Sequence, residues 1–299
     1  MTVMLRGAET PPVGAGYAVG LTPCNDRVIA MSHPFDTALG LQSAGEHRFT
    51  GTTSPAYANM VGPYGGMTAA QMLQAALQHP ARLGDPVSLT VNYAAPVADG
   101  SFEVEARPLR TNRSTQHWLL LMSQAGEVVA SGTALLAVRR PTWSAPEAVM
   151  PDGMPAFDSL EKRSSQGYPA WISRYDMRFV CGGMGADFDG VEQPDSLTRL
   201  WLRDEPPRPL DFPSLAAACD CFAPRTWVRR HQRSPAGTVT MTMYFHADAA
   251  LLAAQGSRPL FGQARAQVLR DGYCDQLGEI WSADGLLLAS TQQVQYYKT

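Results

Sequence analysis

The stretch AGEVVASGTALLAV (125–138) has a counterpart near the C-terminus, DGLLLASTQQVQY (284–296). In this register Gly126 pairs with Gly285 at a turn, and the dipeptide Ala-Ser follows at the same distance in both copies. Each copy has the composition of a strand that follows a hairpin turn. A repeat of this kind indicates an internal duplication, so the chain is predicted to contain one structural unit twice.

Outward from these hairpins, both halves have the same order of elements. GGMTAAQMLQAALQ, beginning at Gly65 and ending before Pro80, has the apolar spacing of a helix, and DFPSLAAACDCFAPRTW (211–227) is its counterpart in the second half. The predicted strands are 47–54, 87–97, 102–110, 117–124 and 127–138 in the first half, and 175–180, 196–204, 238–248, 260–271, 276–282 and 286–297 in the second.

A helix rich in small residues followed by long antiparallel strands indicates a sheet curled around that helix. This is the hot-dog arrangement, and the duplication makes the predicted fold an α+β double hot-dog. The predicted domains are an N-terminal leader (1–40), expected to be poorly ordered, a first hot-dog (41–140), a linker with five prolines (141–170) and a second hot-dog (171–299) that carries the active site.

Composition narrows the class of partner. With 45% hydrophobic and 17% charged residues among 299, the chain can bury one large core or two ordinary ones. A net charge of -3 without blocks of like charge argues against nucleic acid and membrane surfaces, and favours a small molecule. The sequence has no apolar stretch of about 18 residues and no signal peptide, which predicts a cytoplasmic protein.

The number and spacing of the cysteines also favour a cytoplasmic protein. The five cysteines form an odd set with no CxxC pair, which favours a reducing compartment and argues against disulfides and zinc. Cys219 and Cys221 are predicted to be small buried side chains. No cofactor is expected.

Three polar residues of the second half are candidates for chemistry, namely Asp220, Thr238 and Gln293. Asp220 lies among small and apolar residues, so a carboxylate there is desolvated unless it is paired. The alternative is a residue on the solvent side or near the helix C-terminus, bonded to Arg225 or to a nearby backbone amide. Gln293 matches Ala134 of the first copy, and its strand either faces a substrate tunnel or is an edge strand with one solvated face. Thr238 is an ordinary strand residue when considered alone, and it is a candidate site residue only because of Asp220 and Gln293.

A carboxylate, a hydroxyl and a carboxamide that converge on one point can hold a water molecule. The carboxylate takes the proton of the water as general base, while Thr and Gln direct its attack. A thioester is a suitable electrophile, because its carbonyl is poorly stabilised by resonance. Gly65 and Gly66 begin the first helix, and their backbone N–H groups are predicted to contact the substrate.

Over about residues 45–299, the chain resembles the bacterial acyl-CoA thioesterase II family of double hot-dog enzymes. GEIWSADGLLLASTQQ (278–293), MYFH (243–246) and the helix around Asp220 carry the resemblance. It implies that Asp220, Thr238 and Gln293 activate water for thioester hydrolysis, with a role in fatty acid metabolism. The chain departs from the family at GPYGGMTAAQ, where a phenylalanine usually precedes the glycines, and in its Pro-rich linker.

Other functions stay open at this point. A GxSxG nucleophile elbow is absent, which excludes an α/β-hydrolase, whereas His246 and Asp248 leave a hot-dog hydratase or dehydratase as a minor alternative. A non-catalytic acyl-CoA sensor is the other alternative. The expected partner is an acyl-CoA or an acyl-carrier-protein thioester, with Arg110, Arg113 and Arg270 as candidate ligands of the CoA phosphates. The chain is expected to form a homodimer.

Overall fold

A computed structural model describes residues 32–183 and 188–298. The first half contains helix α1 (Pro34–Leu39), strands β1 (Gln42–Ser43) and β2 (Arg48–Thr52), and the long helix α2 (Gly65–Gln78). Strands β3 (Asp85–Tyr93), β4 (Ser101–Thr111), β5 (Thr115–Gln124) and β6 (Glu127–Ala137) follow. A short 3-10 helix, Pro55–Tyr57, precedes α2.

The second half repeats this order of strands around a central helix, and it contains three helices. It contains β7 (Tyr175–Cys181), β8 (Thr198–Asp204), α3 (Phe212–Ala218), α4 (Arg225–Arg230) and β9 (Ala236–Phe245). Helix α5 (Ala249–Gln255) then precedes β10 (Leu260–Arg265), β11 (Leu269–Arg270), β12 (Tyr273–Trp281) and β13 (Leu287–Tyr297).

All the described strands belong to one antiparallel sheet. Its order is β1-β2-β4-β5-β6-β3-β9-β13-β12-β10-β8-β7, with β11 paired to β12 outside this path. The order on one side of the β3–β9 pair repeats on the other, so β6 corresponds to β13 and β5 to β12. Gly126 and Gly285 both occupy the hairpin turn of their half with positive φ, at 86° and 79°. The predicted duplication and double hot-dog fold are confirmed.

Helices α2 and α3 pack against each other on the inner side of the sheet. Nearly every side chain of α2 is buried, including Met67, Ala70 and Leu73, because the sheet covers one side of the helix and α3 another. The N-terminus of α2 lies beside the C-terminus of α3, where the Tyr64 hydroxyl donates to the carbonyl of Ala217 at 2.6 Å. The two halves therefore meet at opposite ends of their helices.

The single helix predicted over 211–227 is wrong. Helix α3 ends at Ala218, and α4 begins only at Arg225, after the N-cap Pro224. A proline disfavours helical conformation in the residue before it, so one continuous helix cannot pass through Ala223 and Pro224 although the stretch is apolar. Asp220 consequently lies in the turn between the two short helices.

The last part of the predicted leader is ordered. His33 caps α1 by accepting a hydrogen bond from the backbone N–H of Phe35, and the Phe35 side chain is fully buried against Tyr57. The expectation of poor order is therefore wrong for residues 32–40, because α1 contributes a core side chain. Residues 1–31 lie outside the described part of the chain.

The Pro-rich segment 141–170 packs against strands of the second half of the sheet. The indole N–H of Trp201 donates to the carbonyl of Pro155 at 2.9 Å, and Phe157 packs with Trp201, Phe261 and Trp281. This small cluster is separate from the main core. No helix in the described part of the chain combines the length and apolar character that a membrane-spanning helix requires.

Candidate active site

The three polar candidates come together beside the turn between α3 and α4. The side-chain amide of Gln293 donates from Nε2 to Oδ1 of Asp220 at 2.9 Å, and Thr238 donates from Oγ1 to Oε1 of Gln293 at 3.0 Å. Gln293 therefore stands between the other two residues and bonds both. The structure thus brings together the three residues that the sequence analysis grouped, although they lie on three different elements.

Gln293 belongs to a buried row of polar side chains on β13. Thr291, Gln293 and Gln295 are 3%, 1% and 5% exposed, so all three face inward as the alternation of the strand predicted. Strand β13 lies between β9 and β12, and the alternative of a solvated edge strand is therefore wrong. Gln295 donates to Oε1 of Gln293 at 3.1 Å and accepts from the backbone N–H of Arg225 at 3.2 Å. This chain of bonds holds the Gln293 amide in one orientation.

A β-bulge aims Thr238 at Gln293. In the pairing of β9 with β13, Thr240 lies opposite Val294 but Thr238 lies opposite Gln295, so Val239 has no partner. The bulge reverses the alternation set by the buried Met241, and it turns Val239 outward and Thr238 inward. Without it, the threonine would point away from the site.

The first half of the chain completes the surroundings of Asp220. The backbone N–H of Gly66 donates to the Asp220 carboxylate, at the first turn of α2. A Cβ atom on Gly65 would lie 2.8 Å from Oδ2 of Asp220, so only a glycine permits this approach. The hydroxyl of Tyr93 in turn donates to the Gly65 carbonyl at 2.9 Å and fixes the start of α2. The site thus lies between the two hot-dogs.

Burial raises the pKa of Asp220 to about 7, against the opposing effects of the bonds from Gln293 and Gly66. The carboxylate is thus partly ionised near neutral pH, which suits a general base. Arg225 does not neutralise it. This guanidinium is fully buried and donates to backbone carbonyls of Ser196, Ala223 and Ala264 instead. The alternative of an Asp220–Arg225 pair is therefore wrong.

Asp220 lies at the wall of a cavity of about 680 Å³. Its lining combines the start of α2, the end of β3, the segment 167–172, the α3–α4 turn and the beginning of β9, and it includes Gly65, Tyr93, Asp220 and Thr238. Apolar and aromatic side chains dominate the walls, namely Tyr64, Val97, Tyr168, Trp171, Ile172, Phe222, Trp227 and Tyr296. Tyr64 and Trp171 stack with their ring centroids 4.2 Å apart. The cavity can therefore hold an extended, largely apolar ligand against a carboxylate.

Other predicted residues lie elsewhere. Arg110, Arg113 and Arg270 are exposed and are not among the residues that line this cavity, and Arg110 donates to Asn112. The sequence analysis did not identify Tyr93 or Arg233, which both line the cavity. No pattern in the sequence distinguishes them, because their proximity to the site depends on how the halves pack.

The residues of the hydratase alternative do not approach the cavity. His246 is hydrogen-bonded to Ser290 at 3.0 Å, and Asp248 caps α5 by accepting from the backbone N–H of Leu251. Neither residue lines the cavity. The geometry gives this alternative no support.

The fold and this cavity define a double hot-dog protein. Two family models match it in succession, the acyl-CoA thioesterase N-terminal domain over residues 54–137 and the acyl-CoA thioesterase C-terminal domain over residues 146–297. The chain belongs to the acyl-CoA thioesterase family and is a thioester hydrolase, as the resemblance implied. A search of curated protein sequences found no match.

Solved structures agree with this fold. A hot-dog protein of unknown function from Alicyclobacillus acidocaldarius is 48% identical, with a TM-score of 0.85 over 90% of this chain and 99% of that one. A putative thioesterase II from Thermobifida fusca is 20% identical, with a TM-score of 0.75 over 89% and 97% of the two chains. An acyl-CoA thioesterase II from Mycobacterium marinum is 19% identical, with a TM-score of 0.71 over 88% and 98%.

Proposed function

We propose that this protein hydrolyses an acyl-CoA to a free acid and CoA, with Asp220 as the general base that activates water. The observation that carries the proposal is the Asp220 carboxylate itself. One oxygen is held by Gln293, the pKa is raised to about 7, and the other oxygen faces Gly65 at the wall of the cavity.

The proposed reaction uses no covalent enzyme intermediate. Oδ2 of Asp220 takes a proton from water while the water oxygen attacks the thioester carbonyl carbon. The tetrahedral intermediate collapses with cleavage of the carbon–sulfur bond, and Asp220 returns the proton to the CoA sulfur. The product is a carboxylic acid and a thiol, so atoms and charge balance.

The first turn of α2 is the proposed site of the developing oxyanion. Gly65 lines the cavity at the N-terminus of a helix of 14 residues, where backbone N–H groups and the helix dipole favour negative charge. The backbone N–H of Gly66 is bonded to Asp220. The N–H of Gly65 is therefore the proposed donor to the thioester oxygen.

Thr238 and Gln293 are proposed to position rather than to transfer protons. Gln293 orients the carboxylate through Nε2, and Thr238 orients Gln293 through Oε1. Removing an amide that bonds a charged group costs about 10- to 100-fold in rate. Gln292, the residue before Gln293 on β13, faces outward and is exposed, so it is a matched control.

Thiol release from short, medium, long and aromatic acyl-CoAs tests the proposal. We expect the wild type and Gln292→Ala to hydrolyse at least one of these esters, and Gln293→Ala to lose 10- to 100-fold in kcat while it still folds. Tight binding of every ester without release from any would instead support the sensor alternative. The same panel reports the preferred acyl length.

The cellular setting is also a proposal. We propose that the protein is cytoplasmic and acts in fatty acid metabolism, because its proposed substrate is an acyl-CoA. We further propose a homodimer, because single units of this fold commonly pair again through their sheets. Light scattering tests it: twice the mass of one chain supports the proposal, and the mass of a single chain overturns it.

A further inference from the structure

The wall of the cavity carries charge at two residues among those described. Asp220 is one, and Arg233 is the other; every other lining residue is neutral. Asp220 is half-buried beside α2, whereas Arg233 is exposed. The cavity therefore has an acidic group in its interior and a basic group at its solvent end.

Aromatic rings hold Arg233 at the cavity. Its guanidinium lies 5.3 Å from the ring centroid of Tyr168 and 5.7 Å from that of Phe188, both within cation–π range. Tyr168 also lines the cavity. This packing holds the guanidinium beside the cavity, and the Arg233 side chain stays exposed.

A second guanidinium shares the Tyr168 ring. The guanidinium of Arg163 lies 4.1 Å from the centroid of the Tyr168 ring and is hydrogen-bonded to the Tyr168 side chain. Burial lowers the pKa of Arg163, Tyr168 opposes that shift, and the charge of Arg233 lowers the pKa by a smaller amount. Two cations on one ring repel each other, and an anion bound beside them would relieve that repulsion.

The neighbouring carboxylates are engaged with other cations. Glu192 pairs with Arg229, and Asp189 pairs with His231. Within residues 32–183 and 188–298, no ion pair involves Arg233. Its charge is therefore available to a ligand.

We propose that Arg233, with Tyr168 and Arg163 behind it, binds the phosphate of the pantetheine arm of the thioester substrate. The inference rests on the proposed function, because it takes the thioester end to lie at Asp220. The planar guanidinium matches phosphate geometry through two parallel N–H groups. Pantetheine phosphate occurs both in CoA and in the prosthetic group of acyl-carrier proteins, so the site would accept either carrier.

Two thioesters, one that carries phosphate and one that does not, test the proposal. The first is an acyl-CoA hydrolysed by the wild type, and the second is the same acyl group on pantetheine, which lacks phosphate. We expect Arg233→Ala to raise KM for the CoA ester about tenfold with little change in kcat, and to leave both constants for the pantetheine ester unchanged. Arg107→Ala, an exposed arginine of β4, is the control and should match the wild type.

Equal effects on the two esters, or none on either, would overturn the assignment. Competition by 4′-phosphopantetheine gives a second measurement, because it carries the phosphate without the nucleotide. Its inhibition constant should rise in Arg233→Ala as it does for CoA, and an unchanged constant would again overturn the proposal. Comparing kcat/KM of the wild type for an acyl-CoA and an acyl-carrier protein then distinguishes the two sources.

Failure of this inference can be separated from failure of the proposed function. If the wild type released thiol from no ester, the proposed function would fall. Calorimetry of 4′-phosphopantetheine with the wild type and Arg233→Ala would still test the phosphate site. Equal affinity would exclude it, and weaker binding by the variant would support it.

Discussion

The side-chain amide of Gln293 donates to one oxygen of Asp220 at 2.9 Å, across the space between β13 and the turn that follows α3. The amide is itself fixed by Thr238 and Gln295, which both donate to its oxygen. Gln293 must therefore present its NH₂ group to the carboxylate, and this hydrogen bond favours the ionised form of the half-buried Asp220.

Asp220→Asn should stabilise the protein at high pH. The folded pKa, about 7, lies above the ordinary value of 3.8, so the contribution of Asp220 to stability is complete below pH 3.8 and is lost as the pH rises through 7. Asparagine keeps the acceptor for Gln293 without a charge. We expect a gain on the order of 1 to 3 kcal/mol at pH 8, reduced because the carboxylate opens onto the cavity, and almost none at pH 4.

Urea unfolding at the two pH values measures this gain. Asp99→Asn, an exposed aspartate in a turn, controls for the change in net charge. If Asp220→Asn were less stable than the wild type at pH 8, the ionised carboxylate would not be held at an energetic cost in the folded protein.

Gly65→Ala and Gly66→Ala should fail in different ways. A Cβ on Gly65 would meet Oδ2 of Asp220 at 2.8 Å, a side-chain atom that can move, whereas a Cβ on Gly66 would meet the backbone oxygen of Ala217 at 2.6 Å. We expect Gly65→Ala to fold with normal stability and to lose at least about tenfold in kcat, because the carboxylate is displaced. Gly66→Ala should lower the melting temperature, because it separates α2 from α3.

Thermal melts and thiol release on the two variants separate these effects. The pair is matched in position and in the atoms added. Full activity in Gly65→Ala would mean that the position of Oδ2 does not matter for turnover.

The His47–His79 pair should make the first hot-dog sensitive to acid. His79 is 4% exposed, and its Nδ1 accepts from the backbone N–H of Ala81, so its Nε2 carries the proton and donates to Nδ1 of His47 at 2.9 Å. Burial, and next His47, lower the pKa of His79 below the ordinary 6.5. A depressed histidine pKa gives stability that is complete above 6.5 and declines as the pH falls below that value.

Stability of the wild type and of His79→Gln between pH 8 and 5 checks this expectation. The wild type should lose more stability on acidification than the variant, and His117→Gln, on an exposed position of β5, should behave like the wild type. An NMR titration of His79 with a midpoint at or above 6.5 would contradict it.

The fold was predictable because the duplication repeats a local pattern. The hairpin glycines 126 and 285 and the alternation of β13 specify turns and faces without reference to the rest of the chain. Gln293 was identifiable for the same reason, since a polar residue at an inward position requires a partner. Asp220 was identifiable because its neighbours are apolar, although α3 ends at Ala218, two residues before it, and does not continue to residue 227 as the apolar composition suggested.

The remaining features depend on contacts between distant segments. The bulge at Val239 reverses the faces of β9, and no residue there signals it, whereas simple alternation would turn Thr238 outward. The approach of Gly65 to Asp220 joins the two halves, which a repeat pattern cannot reveal. Arg233 follows no motif, and only the packing of Tyr168 against it places it at the cavity.

The pH dependence of thiol release by the wild type and Asp220→Asn tests the central claim most directly. If Asp220 is the general base, kcat/KM of the wild type should rise with pH and level off above an apparent pKa near 7, since only the ionised carboxylate accepts a proton. Asp220→Asn should lose about 10²- to 10⁴-fold at every pH while it still binds the ester. A variant that retains activity within a few-fold of the wild type, with the same pH profile, would contradict the role of Asp220.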